Sequence, residues 1–214
     1  MYSKNFFLII FILSLFFACN FSGMKTNSLV VPEPDVLERL KGQKLEIDSL
    51  FIYYNSICIG NVLHFTQATE NSLPFRTDSI RMSLDDFYDY YTQFIILQKN
   101  SNSNKIIFIA ELPYCRSGDF YLAYIHYFDQ NEQTFAYEKR FNTFHCTNGI
   151  GYETATKYYN FDFQQIGEEY KLVDENGNPM LQDSCMLDDY GDKVYPNVEK
   201  YLAGHKINLK KGKQ

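Results

Sequence analysis

Two aromatic runs separated by a short polar turn constrain this chain more than any other feature. FYLAYIHYF (120–128) and QTFAYEKRFNTFH (133–145) flank Asp129–Glu132 and alternate in character with the period of two that a half-buried strand requires. A regular hairpin centred on that turn sets Phe120 opposite Phe141, Tyr124 opposite Tyr137 and His126 opposite Phe135 on one face. The other face takes Tyr121 with Arg140, Ala123 with Glu138 and Tyr127 with Thr134. One face is aromatic and the other mixed, as in an antiparallel sheet with a buried and a wetter side.

The rest of the chain follows the same pattern. LEIDSLFIYY (45–54) and SICIGNVLHF (56–65) read as strands broken at Asn55, after a short helix from Asp35 to Leu40 that Gly42 ends. Ser83 with Asp86 starts a helix whose inner face carries Leu84, Phe87, Tyr88 and Tyr91. QFIILQK and KIIFIAEL form a hairpin around NSNSN (100–104), and KYYNFDFQQIGEEYKLV (157–173) forms another that turns at Gly167. NVEKYLA (197–203) is a short helix after Pro196, closed by Gly204. The fold expected is mainly β, an antiparallel meander of about eight strands as a curled sheet or small barrel, with two or three short helices.

The start of the chain carries an address. Lys4 is its only charge, and Phe6–Ala18 is a thirteen-residue apolar run, shorter than the ~20 residues that a spanning helix needs. A basic start, a compact apolar stretch and a small residue make a secretory signal. Cys19 directly after Ala18 resembles the lipobox of bacterial lipoproteins, although Phe16 stands three residues before the cysteine where that family usually has Leu. The resemblance implies removal of residues 1–18 and lipidation of Cys19, hence a cell-envelope location on the periplasmic side of a membrane or at the cell surface. Acyl chains then hold the protein to the membrane, at about 0.8 kcal/mol per buried methylene. Residues 19–34, with Pro32 and Pro34, are the lipidated cysteine and its tether; 35–204 are a single β-rich domain; 205–214 are a basic tail.

Export gives the remaining cysteines a role. Cys58, Cys115, Cys146 and Cys185 are an even set in an oxidising compartment, which points to disulfides. The hairpin register that pairs Tyr124 with Tyr137 also sets Cys115 opposite Cys146, within bridging distance. The pairing expected is therefore Cys115–Cys146 and, by elimination, Cys58–Cys185.

Chemistry is harder to find. Beyond residue 19 there are 19 basic and 26 acidic residues, a net of −7, which argues against nucleic-acid binding. His64, His126, His145 and the cysteines show no zinc-ligand spacing, and disulfides would consume the thiols, so no metal and no cofactor are expected. His126, with Tyr124 and Tyr137 on the aromatic face, is the candidate pocket; a desolvated imidazole there acts as a base only with a partner that spacing does not assign. DENGN (174–178) echoes a calcium loop but has Pro179 and Cys185 where Gly and Glu are needed, and Asp183, Asp188, Asp189 and Asp192 read as solvated turns. No catalytic residues are assigned. The expectation is a non-catalytic domain that binds a protein partner or small ligand. The alternatives are a hydrolase with an unfamiliar site, or an inhibitor or immunity lipoprotein directed at an exported toxin or wall enzyme. The 19 Phe and 18 Tyr, without Trp, suit a recognition face, though aromatic cross-strand packing explains them as well.

Overall fold

The computed structural model describes residues 35–57, 61–77, 92–100, 103–113, 120–147, 149–182, 185 and 191–209. Cys19, Cys58, Cys115, the helix expected after Ser83, and Asp183, Asp188 and Asp189 lie outside these residues. Eight strands form one sheet: β1 (Val62–Gln67), β2 (Phe75–Thr77), β3 (Thr92–Asn100), β4 (Ser103–Pro113), β5 (Phe120–Phe128), β6 (Thr134–Cys146), β7 (Gly149–Tyr159) and β8 (Gln165–Val173). Their order is β2-β1-β3-β4-β5-β6-β7-β8, and every neighbouring pair is antiparallel. The sheet is curled but does not close, so the open member of the two expected architectures is the one adopted.

The β5–β6 hairpin keeps the expected faces in a register displaced by two residues. Leu122 opposes Phe141 and His126 opposes Tyr137. The turn is longer than expected: Asp129 N–H donates to Gln133 O at 2.9 Å, and Asp129 Oδ1 accepts from the N–H groups of Asn131 and Gln133. A register shift between Tyr127 and Phe128 leaves Phe135 as an extra residue. A displacement of two preserves each side chain's face, whereas a displacement of one would have inverted all of them.

The first helix departs most from expectation. α1 (Val36–Ile57) runs through residues that read as strand, and Gly42 lies inside it. Leu37, Leu40, Lys44, Ile47, Phe51 and Tyr54 fall at alternating spacings of three and four, one helical face. That face packs on the sheet among Leu97, Ile107, Phe108, Ile125, Tyr127 and Phe135, with the Phe51 and Phe108 rings stacked at 4.7 Å. Burial of this stripe outweighs the strand preference of Phe51–Tyr54. Gly167 belongs to β8 and not to a turn: a Cβ there would come within 2.6 Å of a Leu37 methyl, so its absence lets α1 approach. The turn of that hairpin is Asn160–Gln164.

A second core lies on the opposite face. The segment 195–209, including α2 (Val198–Gly204), buries Tyr195, Val198, Tyr201 and Ile207 against Phe65, Phe94, Ile96, Ile109 and Phe128. Asn197 caps α2, its side-chain oxygen accepting from Lys200 N–H at 2.9 Å.

The cysteine pairing is corrected. Cys146 is bonded to Cys185, with Cα atoms 4.0 Å apart, so neither Cys115–Cys146 nor Cys58–Cys185 forms. Residue 185 returns to bridge the end of β6 and takes the sulfur that the hairpin register had assigned elsewhere. Gly151 makes room for the bond: a Cβ there would stand 2.6 and 2.8 Å from the two sulfurs.

Candidate functional site

His126, Tyr124 and Tyr137 are brought together, but as core. The His126 ring meets Tyr137 edge-on at 5.1 Å, and Tyr124 stacks on Tyr137 at 6.5 Å. His126 is 1 % exposed, with Tyr201 edge-on at 4.8 Å. Its Nε2 accepts the backbone N–H of Tyr195 at 3.1 Å, which places the proton of the neutral ring on Nδ1, an atom without a partner. Burial, and then the nearby His205, push its pKa down to about 3. His126 therefore holds the C-terminal segment on the sheet. It lines neither of the two clefts that flank α1.

Beside it sits a carboxyl that sequence reasoning missed. Glu111, near the end of β4, accepts from Tyr201 OH at 3.2 Å and lies 3.4 Å from His205 Nε2. Burial lifts Glu111 to about 7, and burial lowers His205 to about 4. Over most of the acid range, the contact is thus between two neutral groups and not an ion pair. The available signal was an acid between Ala110 and Leu112 at the end of an apolar run.

This arrangement has a testable sign. Because Glu111 is raised above its ordinary value of 4.5, the unfolded chain gives up that proton first, and stability is lost as pH climbs from about 4.5 to about 7. Glu111→Gln keeps the acceptor for Tyr201 and removes this loss. Denaturant unfolding at pH 8 is expected to show the variant more stable by about 2–3 kcal/mol, with the difference vanishing near pH 4.5. A difference independent of pH would show that Glu111 is not held neutral in the fold.

The helix side of the sheet carries an ionic cluster. Lys44 Nζ reaches Glu138 Oε2 at 2.6 Å and Asp48 Oδ2 at 2.9 Å, and lies 4.8 Å above the Tyr127 ring. Glu138 also takes Thr156 Oγ1 at 3.1 Å and Arg140 Nε. Tyr127 OH donates to Asp48 at 2.7 Å, Tyr158 OH donates to Glu169 at 2.9 Å, and Lys41 pairs with Glu169 at 3.1 Å. Of these groups, Lys41, Lys44, Glu138, Thr156, Tyr158 and Glu169 line an open cleft of about 790 Å³ between α1 and β6–β8. Its charges neutralise one another, and the cluster bonds helix to sheet. On the other flank of α1, a cleft of about 940 Å³ has an apolar floor of Leu40, Ile47, Ile107, Phe135 and Tyr159.

Beyond the cluster, the sheet presents a row of exposed tyrosines. Tyr121, Asn142, Tyr152 and Val173 stand side by side across β5–β8, and Arg140, Thr154 and Lys171 lie in the next row. Tyr121 is 48 % and Tyr152 39 % exposed, and Arg140 and Lys171 are exposed. Burial of the Tyr121 hydroxyl raises its pKa, against the pull of Arg140.

The remaining candidates disperse. Asp192 accepts from Tyr137 OH at 3.2 Å and pairs with Lys157. Asp174 closes its own turn, with Oδ1 taking the N–H groups of Asn176 and Asn178 and Gly177 at φ 82°. Among the described residues, no three His, Cys, Asp or Glu stand together as metal ligands, and no helix is long and apolar enough to cross a membrane. No family model, curated protein or solved structure matches the chain.

Proposed function

We propose that this is an exported lipoprotein, fixed to a membrane through Cys19, whose β domain binds a protein partner without catalysing a reaction. The observation that carries the binding reading is the exposed pair Tyr121 and Tyr152, in one cross-strand row with Asn142 and beside the exposed Arg140 and Lys171. A broad surface of tyrosines and a guanidinium is the composition that recognition surfaces favour, since these side chains offer large area at small entropy cost. The Cys146–Cys185 bond is consistent with an oxidising compartment, as export implies.

A photo-crosslinking residue at position 121 of the full chain tests this in the native envelope. A discrete protein adduct is expected, with its yield falling about tenfold when Tyr152→Ala removes the neighbouring contact. An adduct yield no higher than from the exposed Ser49 on α1 would reject the surface. Intact mass of the same material reads the anchor independently: a diacylglycerol-bearing chain that begins at Cys19 is expected, and an unmodified start rejects it.

A further inference from the structure

A knob and a hole stand side by side along α1. The knob is Phe161, 89 % exposed on the β7–β8 turn although it is a large apolar residue. Its turn is tightly built: Asn160 Oδ1 accepts the N–H groups of Asp162 and Gln164 at 3.1 and 2.9 Å, and the Phe163 ring stacks on Tyr159 at 4.8 Å. These bonds hold the Phe161 ring in water instead of letting it fold back over the apolar residues beside it. The hole is the cleft of about 940 Å³ floored by Leu40, Ile47, Ile107, Phe135 and Tyr159. Phe161 stands on its rim and, at that exposure, does not fill it.

Charge follows the same division. Asp162, next to the knob, is exposed and makes no ion pair among the described residues. On the rim of the hole, Arg39 and Lys99 are exposed and also make none among the described residues. The rim's own acids are Asp129, committed to the N–H groups of Asn131 and Gln133, and Glu46, two helical turns and about 10 Å along α1 from Arg39. Both signs are thus present in near balance, which suits neither a strongly acidic nor a strongly basic partner. It suits a second copy of this chain. A two-fold interface needs one surface that carries both halves of its own complement, and this one has an acid-flanked apolar knob beside a base-rimmed apolar hole. A two-fold axis between them seats each Phe161 in the other chain's cleft and brings each Asp162 to the other chain's Arg39 and Lys99, which fixes the register.

We infer that this face joins two copies of the chain about a two-fold axis, with Phe161 of each copy inserted into the α1 cleft of the other. The pairing depends neither on the lipid anchor nor on the Tyr121 surface, which lies at the other end of β7.

A photo-crosslinking residue at position 161 of the full chain, expressed in its own envelope, tests this. The expected product is an adduct of two chains whose crosslink maps to α1 of the second copy. Arg39→Asp sets an acid against Asp162 at both contacts, and Asp162→Arg sets a base against Arg39 at both. Each change alone is expected to lower the two-chain adduct about tenfold. Co-expressed under separate tags, the two variants restore opposite charges at both contacts of the mixed pair, whose adduct should return to the parent yield. A role for either residue within its own chain does not produce that rescue. The pairing is overturned if the parent gives no two-chain adduct, or if the mixed pair stays as low as each variant alone. An adduct with a different protein or with lipid, in place of the second chain, identifies another occupant of the cleft and overturns it as well.

Discussion

Lys44→Met is expected to destabilise the domain by about 3–5 kcal/mol, more than any exposed substitution would. Lys44 is 8 % exposed and its ammonium reaches two carboxylates, those of Glu138 and Asp48. Removing it leaves Glu138, itself 2 % exposed, with Arg140 and the Thr156 hydroxyl, among the described residues, to support a buried negative charge. The loss comes from that uncompensated carboxylate more than from the missing pair. Adding Glu138→Gln removes the charge while keeping an acceptor for Thr156, so Lys44→Met/Glu138→Gln should recover to within about 1 kcal/mol of the parent. Urea unfolding of both proteins reads this directly. A double variant no better than the single would mean that Lys44 matters through packing of its stem.

The second large effect concerns the disulfide. Cys146–Cys185 closes a stretch of 39 residues that includes β7 and β8. The loop-entropy relation gives about 4 kcal/mol for a closure of that length, so Cys185→Ser should cost about that much. Reduction of the parent should bring its unfolding midpoint down to that of Cys185→Ser, and the reductant should leave the variant unchanged. Peptide mapping of the oxidised parent should recover the 146–185 crosslink. A variant as stable as the parent would place the bond in the unfolded ensemble's favour as much as the native state's.

The hairpin signal survived because a period of two is a local property. Side-chain faces of β5 and β6 follow directly from alternation, and they hold even though the register is displaced by two. Register itself depends on turn length and on the extra residue Phe135, neither of which alternation encodes. α1 was hidden for a related reason. Its residues prefer strands locally, and the stripe from Leu37 to Tyr54 becomes decisive only when a sheet exists to bury it. The cysteine pairing was out of reach because Cys185 comes to Cys146 from 39 positions away, outside any hairpin register. Grouping of His126 with Tyr124 and Tyr137 was legible from the strand face. Its burial was not, because the covering residues Tyr195 and Tyr201 arrive from about seventy positions away. The row at Tyr121 was equally out of reach, for its cross-strand order depends on the registers of β5, β6 and β7.

Neighbours in this sheet are mostly neighbours in sequence, yet the two pieces that seal its faces come from opposite ends of the chain. Asp48 waits for Tyr127, and Tyr195 needs His126. Synthesis begins at the amino end, so α1 emerges long before any surface it can dock on, and hairpins must accumulate first. A nascent chain halted before β4 would therefore carry a greasy, unsheltered helix, which makes that interval the point at which a chaperone has most to do.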